Sequence, residues 1–188
     1  MSDMYFVYNS LYFVYTGNAY PHKNLDRLVK AIVLLNQKKS EKVVLKISSS
    51  RNVFTERLKK LIKDNNANSL VHLLGYVPDE KINILYKNSV AFVFPTLAEG
   101  FGLPPMEAIN AGTLAVISDI PVLKEVYEDS VTYFDPMDIN SIVESLNKAL
   151  NMKNNERKIK IEYARRFIKR YSWEKMAKET LKMYESIR

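Results

Sequence analysis

The chain has 188 residues, 47% of them hydrophobic and 26% charged, enough apolar material for one sizeable domain core. That balance excludes a disordered chain, a collagen-like repeat and a mini-protein that needs staples. Cysteine is absent, which removes a disulfide framework, a thiolate metal site and a Cys nucleophile. No apolar run approaches the roughly 18 residues of a membrane helix, and no cationic segment precedes an apolar stretch with a small-residue cleavage site. A cytoplasmic protein is therefore expected. The formal net charge is +7, and residues 151–188, with 12 basic and 5 acidic side chains, carry all of it. Such a tail is either a solvated helix face or a surface for phosphates or anionic lipid.

Tyr12 to Thr16 reads as a strand of aromatic and β-branched residues. A turn, Gly17 to His22, leads into a helical pattern from Lys23 to Lys38, with Leu25, Leu28, Val29, Ile32, Val33 and Leu35 on one face. Val43 to Ser48 is a second strand, and Phe54, Leu58, Leu61 and Ile62 mark a second helix. Val71 to Leu74 is a third strand, closed by Gly75. Pro78-Asp79-Glu80 opens a short helix, with proline in the first turn and carboxylates at the positive dipole end. Val90 to Phe94 is a fully apolar strand, followed by a Gly/Pro loop and a short helix running to Gly112. Leu114 to Ile117 and Val131 to Phe134 are further strands. The tail reads as helices over 140–150, 156–170 and 172–187, with Ser172 placed to cap the last.

Alternating helices and continuous apolar strands predict an α/β fold: a doubly wound parallel sheet, Rossmann-like, covered on both faces. Ligands in such folds lie beyond the carboxyl ends of the strands, near a topological switch point. The loops 17–23, 48–53, 75–79, 95–103 and 118–122 are therefore the places to look. Tyr5-Phe-Val-Tyr8 repeats as Tyr12-Phe-Val-Tyr15. Residues 1–11 are expected to be a linker or an extra edge segment.

The densest chemical signal is Glu99-Gly100-Phe101-Gly102-Leu103-Pro104-Pro105-Met106-Glu107. Gly100 and Gly102 permit close backbone approach and unusual dihedrals. Pro104 and Pro105 suit a first helical turn, and backbone amides with the helix dipole make an anion site suited to a phosphate. Glu107, one turn further in, can accept two hydrogen bonds from a vicinal diol such as ribose, while Glu99 can reach hydroxyls on the other side. Two lone glutamates would read as solvated surface residues; inside this glycine-proline block they read as a pair that grips sugars. Lys23, at the start of the first helix, is a mobile point charge for a diphosphate, although a lysine in that place is often only solvated. His22 and His72 stand alone and read as structural.

These residues resemble the C-terminal domain of family 4 glycosyltransferases, the glycosyl transferases group 1 family, whose enzymes have the two-Rossmann-domain GT-B fold. The parts occur in the family's order from Phe13 to Ile187: Tyr15-Thr-Gly-Asn18, Pro21-His-Lys-Asn-Leu25, Gly75-Tyr-Val-Pro78, Pro95 through Glu107, Ala111-Gly-Thr113, Ser118 through Val126, Tyr133-Phe-Asp-Pro136 and Tyr171-Ser-Trp-Glu174. The resemblance implies that Glu107 holds the nucleotide ribose and that Glu99 touches the donor sugar at the catalytic centre. It implies backbone contacts to sugar and diphosphate from Phe101, Gly102 and Leu103, and neutralisation of the departing diphosphate by Lys23. Tyr76 and Val77 fall where the family packs the nucleobase, and Gly17, Asn18 and Gly100 complete the donor-binding set. Transfer with retention of configuration and without a metal or other cofactor is implied as well.

Asn18 stands where many members carry an arginine, so charge compensation rests more on Lys23 and on helix amides. The match is to the C-terminal half alone. The expectation is a nucleotide-sugar-binding domain over 12–170, with a last helix over 171–188 that crosses to an N-terminal acceptor domain outside this sequence. Such a chain binds a nucleoside diphosphate weakly and transfers nothing to a glycan or lipid-linked acceptor by itself. A GT-B epimerase shares the architecture, but the Glu-seven-Glu block speaks against it. The alternative of another class is a non-catalytic module that associates with itself or a partner through the last helix. Contact of the basic C-terminal helices with the inner membrane face is a further expectation; nucleic-acid binding is not expected, since no recognition motif accompanies the charge.

Overall fold

The computed structural model describes residues 11–37, 39–50 and 52–187. The Tyr5–Tyr8 repeat and nearly all of the expected linker lie outside these residues. Six strands form one sheet: β1 (Tyr12–Thr16), β2 (Val44–Ser48), β3 (Val71–Gly75), β4 (Ala91–Phe94), β5 (Ala115–Ser118) and β6 (Thr132–Phe134). The spatial order is β3-β2-β1-β4-β5-β6, and every pairing is parallel. The doubly wound expectation holds, and each expected strand is present to within a residue at either end.

Parallel pairing explains the strand sequences. Both faces are covered by helices, so β1, β2, β4 and β5 are buried at every position, and an unbroken apolar run is what such a site selects. The central side chains Phe13, Tyr15, Leu45, Ile47, Phe92 and Phe94 are almost wholly inaccessible to solvent.

The helices are α1 (Leu25–Gln37), α2 (Val53–Asp64), α3 (Asp79–Lys87), α4 (Leu103–Asn110), α5 (Pro121–Tyr127), α6 (Ile139–Asn151), α7 (Asn154–Ile168) and α8 (Trp173–Ser186). Helix α1 packs on α2 and α6, and α4 packs on α3 and α7. Side-chain caps fix several starts. Asn52 accepts from the amides of Phe54 and Thr55, Asp138 from that of Asn140, and Ser172 from that of Lys175.

Two elements depart from the sequence pattern. The expected helix from Lys23 is split: Pro21–Lys23 is a 3-10 turn, Asn24 turns left-handed (φ 57°), and only then does α1 begin. The seven residues of α5, of which Pro121 and Val122 fall in the expected loop 118–122 and the rest carry no expected element, form a helix opened by Pro121 at its first position.

The order reverses between β1 and β4, so the switch point lies at their carboxyl ends. The two chain segments that leave there are 17–24 and 95–102. Part of the tail's basic excess is spent on the fold. Arg157 donates to the carbonyls of Val90 and Ala149, both at 2.6 Å, Lys160 to the Thr132 hydroxyl, and Arg170 to Glu128. Among the described residues, no helix is long and apolar enough to cross a membrane.

Candidate functional site

The two segments at the switch point are sewn together by backbone and buried polar side chains. The amide of Leu97 donates to the carbonyl of His22 at 2.7 Å. The hydroxyl of Thr96, inaccessible to solvent, lies 3.2 Å from the His22 carbonyl and 3.0 Å from that of Ala98 and shares its single proton between them. Asn24, 1% exposed, donates through Nδ2 to the carbonyls of Pro95 (3.0 Å) and Pro136 (2.8 Å). Its left-handed backbone is what turns that amide inward, and asparagine tolerates the conformation better than most residues. Sequence reasoning gave Asn24 no role of its own; the signal was its place in Pro21-His-Lys-Asn24, where the helical pattern begins.

The stitching brings Lys23 to Glu99. Nζ lies 2.5 Å from Oε1, both side chains are only 13% exposed, and the ammonium also lies 5.5 Å from the Phe94 ring centroid. Both residues were expected at this edge of the sheet, and the direct ion pair between them is a finding of the structure. Gly17 follows β1 at φ 139°, where a Cβ would stand 2.9 Å from the Tyr15 hydroxyl oxygen. That hydroxyl donates to the carbonyl of Asn18, whose own side chain accepts from the Tyr20 amide. Asn18 is thus a turn-former beside the lysine.

The elbow between β4 and α4 turns on Gly102, left-handed at φ 87° and buried. Two prolines follow, so the first turn of α4 has fewer amide hydrogens than a typical helix start. The hydroxyl of Tyr127, a wholly buried residue, donates to the Gly102 carbonyl. The backbone donors left in the elbow are those of residues 100–103. Phe101 and Leu103 are exposed at 37% and 43%, and the Phe101 ring packs edge-on against Tyr171 at 5.3 Å.

Glu107 stands one turn into α4. Its side chain reaches solvent, yet the protein around it excludes enough water that burial is the largest influence raising its pKa. A hydrogen bond from Tyr86 opposes that shift, and the charge of Asp79 on α3 adds to it. Tyr86 is 1% exposed, and its hydroxyl oxygen lies 2.6 Å from Oγ1 of Thr16, the last residue of β1. Burial pushes the Tyr86 hydroxyl far above its ordinary range, so the phenol stays protonated. In the Thr16–Tyr86 bond either hydroxyl can donate. Sequence reasoning gave Tyr86 no role, and nothing local revealed that its hydroxyl meets Thr16 at the end of β1.

After β3, Tyr76 is 69% exposed while Val77 is in the core at 4%. Gly75, left-handed at φ 72°, accepts through its carbonyl from the Ser49 amide and the Ser48 hydroxyl. The structure thus gathers Gly17, Asn18, Lys23, Tyr76, Glu99, the Gly100–Leu103 elbow and Glu107 along the carboxyl edge of one sheet. Among the described residues, no three His, Asp or Glu side chains cluster as metal ligands would.

Beside the elbow lies an apolar groove of about 340 Å³, lined by Phe101, Leu103, Met106, Tyr171, Trp173 and Met176 among others. Its far wall is α8, which has no buried side chain among its described residues and exposes Trp173, Leu181, Met183 and Tyr184. The charges on α8 balance, with Lys175, Lys178 and Lys182 against Glu174, Glu179 and Glu185.

Comparison with known proteins bears on this arrangement. The chain is 32% identical over 174 residues to O-antigen chain mannosyltransferase B of Escherichia coli, covering 93% of this chain and 45% of that protein. It is 34% identical over 131 residues to O-antigen chain mannosyltransferase RfbU of Salmonella typhimurium, covering 69% of this chain and 36% of that one. It thus spans less than half the length of these relatives. Among solved structures, sucrose-phosphate synthase of Thermosynechococcus elongatus superposes with a TM-score of 0.83 at 19% identity, covering 95% of this chain and 46% of the other. Trehalose-6-phosphate synthase OtsA superposes at 0.77 and 16%, covering 86% and 40%. The sheet is therefore the Rossmann-like half found in GT-B glycosyltransferases. The family model described as glycosyl transferases group 1 matches residues 7–167, a span that holds both switch-point segments and every strand, and to that family this chain belongs.

Proposed function

We propose that this chain is the donor half of a retaining, metal-independent glycosyltransferase, binding a nucleoside diphosphate sugar at the β1/β4 switch point. The observation that carries the reading is the placement of Lys23, Glu99 and Glu107 around one glycine-proline elbow at the carboxyl edge of the sheet. In this reading Glu107 accepts from the ribose hydroxyls. The amides of Phe101, Gly102 and Leu103 contact the diphosphate and sugar, and Tyr76 flanks the base beside the Val77 backbone. Gly17, Asn18 and Gly100 let the chain pass close to the ligand. The bond between the anomeric carbon and the diphosphate oxygen breaks with its electron pair going to that oxygen, and a bond to the acceptor oxygen forms as that oxygen gives its proton to the departing diphosphate. Lys23 meets the charge that develops on the leaving diphosphate, a preorganised contribution of the kind that usually dominates such transfers. Glu99 faces the donor sugar and orients the lysine.

The relatives' names, as mannosyltransferases of O-antigen chains among others, support a mannosyl donor and a glycan acceptor; a lipid-linked acceptor is part of the same proposal. The acceptor side is supplied by sequence beyond this chain, to which α8 and its groove turn their apolar faces. Residues 12–170 then form the donor domain, and 171–188 the crossing helix. A charge-dependent contact of α7 with the inner membrane face belongs to the same proposal, and liposome flotation tests it.

Calorimetric titration with GDP, UDP and ADP tests the donor site. Binding of one of them at millimolar concentration or tighter, weakened by Glu107→Ala, is expected. No binding by any of the three, or indifference to Glu107→Ala, overturns the assignment. The exposed apolar face of α8 favours one second reading, self-association through that helix. A monomer both with and without residues 172–188 in a sedimentation experiment argues against it.

A further inference from the structure

A helix ordinarily takes over the carbonyl of the residue just before it. In α1, α2, α3, α5, α6, α7 and α8 that carbonyl accepts from the amide four residues on, as Asn24 does from Leu28 and Ile120 from Lys124. Helix α4 breaks the pattern. The carbonyl before it belongs to Gly102, and it accepts instead from the hydroxyl of Tyr127 on α5. The left-handed backbone of Gly102 (φ 87°, ψ 60°) turns this carbonyl off the helix axis.

Tyr127 is wholly buried, so it grips the elbow from the core side. Its backbone is fixed where α5 ends, because the Tyr127 carbonyl accepts from the Ser130 amide at 2.9 Å and the Ser130 hydroxyl at 2.5 Å. Phenylalanine would fill the same space, and the hydroxyl adds the bond to Gly102. The consequence falls on the next residue. In a trans peptide the C=O and N–H point in opposite directions, and no described peptide bond is cis. With the Gly102 oxygen held towards the core, the Leu103 amide hydrogen faces the other way, to the side where the Phe101 and Leu103 side chains are exposed. As the first residue of α4, Leu103 has no helical acceptor for that hydrogen.

We propose that Tyr127 is a positioning residue for the diphosphate, holding the Gly102–Leu103 peptide so that the Leu103 amide is presented outward to a phosphate oxygen. The proposal rests on the assignment of the donor diphosphate to the glycine-proline elbow. Tyr127 touches no ligand. Without its hydroxyl the buried Gly102 carbonyl lacks a partner, and rotation of the peptide towards solvent recovers one at the expense of the outward amide.

The test titrates the full, isotope-labelled chain by NMR with two ligands: whichever of GDP, UDP and ADP binds best, and its nucleoside. The ratio of the two affinities reads the phosphate contacts. In the unsubstituted protein the Leu103 amide proton is expected to move downfield with the diphosphate and not with the nucleoside. Tyr127→Phe should lower the ratio roughly threefold or more, leave the nucleoside affinity unchanged and abolish the Leu103 response. A merely structural tyrosine would lower the melting temperature and leave the ratio and the response as they were, and that result overturns the proposal. Exchange of the Leu103 amide hydrogen in the unsubstituted protein carries the test if Tyr127→Phe does not fold. Fast exchange in the free chain, slowed by the diphosphate, is expected; an amide already protected, or indifferent to the diphosphate, overturns the proposal. Glu107→Ala separates the two assignments. Weaker diphosphate binding there, with an undiminished ratio in Tyr127→Phe, leaves the donor site standing without the tyrosine's role, whereas no diphosphate binding at all removes both.

Discussion

The ammonium of Lys23 lies 2.5 Å from a carboxylate oxygen of Glu99, although 76 residues of chain separate them. Two loops leaving neighbouring parallel strands make the contact, and the hydrogen bonds of His22, Asn24 and Thr96 hold those loops together. In a pocket that admits little water such a pair is worth more than on the surface, and removing one partner strands the other. Lys23→Met and Glu99→Gln should each destabilise the fold by about 1–3 kcal/mol. The double variant should lose less than the sum of the two. Chemical denaturation of the four proteins measures this, and additive losses would mean that the pair contributes nothing.

The same contact predicts opposite effects on nucleotide binding. Glu99 occupies a donor of the lysine that the diphosphate needs. Glu99→Gln should therefore strengthen binding of a nucleoside diphosphate lacking its sugar, by roughly threefold or more, while Lys23→Gln weakens it. Titration of both variants with the tightest-binding diphosphate decides, and a weakening in Glu99→Gln would remove the competition from the account.

The fold was largely legible because parallel strands covered on both faces are written as unbroken apolar runs. Val14, Leu45, Val93 and Val116 lie in such runs, each bounded by glycine, proline or polar turns. The glycine-proline elbow and its two acids were legible for the same reason, since their spacing is local. What stayed hidden is non-local or short. Asn24 lies inside an apparently continuous helical pattern, and only its contacts with Pro95 and Pro136, 71 and 112 residues away, explain the break. The α5 helix is seven residues long, too short for periodicity to separate it from a loop. The hydroxyl of Tyr86 meets that of Thr16, 70 residues earlier in the chain, which no pattern of apolar positions encodes.

Asn24→Ala removes two hydrogen bonds from buried carbonyls and puts an ordinary residue at φ 57°. The expected loss is about 2–4 kcal/mol. Asn24→Gly tolerates the backbone but makes neither bond, so it should recover only part of that loss. Comparing the two by thermal unfolding separates the amide's contribution from the backbone's, and full recovery in the glycine variant would show that the side chain holds nothing.

Gly102 is required for shape as much as for freedom. At φ 87°, a Cβ added there would stand 2.6 Å from Cδ2 of Leu123, itself wholly buried on α5. Relief requires the wholly buried Leu123 side chain to turn into its packed neighbours, or the elbow that carries Phe101 and Leu103 to move. Gly102→Ala should cost roughly 1–3 kcal/mol and weaken diphosphate binding. Gly100, where an added Cβ meets nothing within 4 Å, is the control. Gly100→Ala should leave stability near that of the unsubstituted protein, and equal losses at the two positions would undo the steric argument.

Glu107 is held where its charge is unwelcome. Burial first, and then the charge of Asp79, raise its pKa, and the Tyr86 hydrogen bond only partly offsets them. A carboxyl whose pKa is higher in the folded than in the unfolded chain keeps its proton longer in the folded state. Folding stability then falls as pH rises from the ordinary carboxyl value through the raised one. At neutral pH the ionised acid works against the fold, which fits a residue kept for binding. Glu107→Gln should therefore raise the melting temperature at pH 7. The gain should shrink towards zero on acidification below about pH 4, where both states of the unsubstituted protein are protonated. Asp79→Asn, which removes the repulsion but not the burial, should make the gain at Glu107 smaller without erasing it. A gain that grows on acidification, or none at pH 7, would place Glu107 in an environment that favours its charge and would remove the tension between stability and binding at this residue.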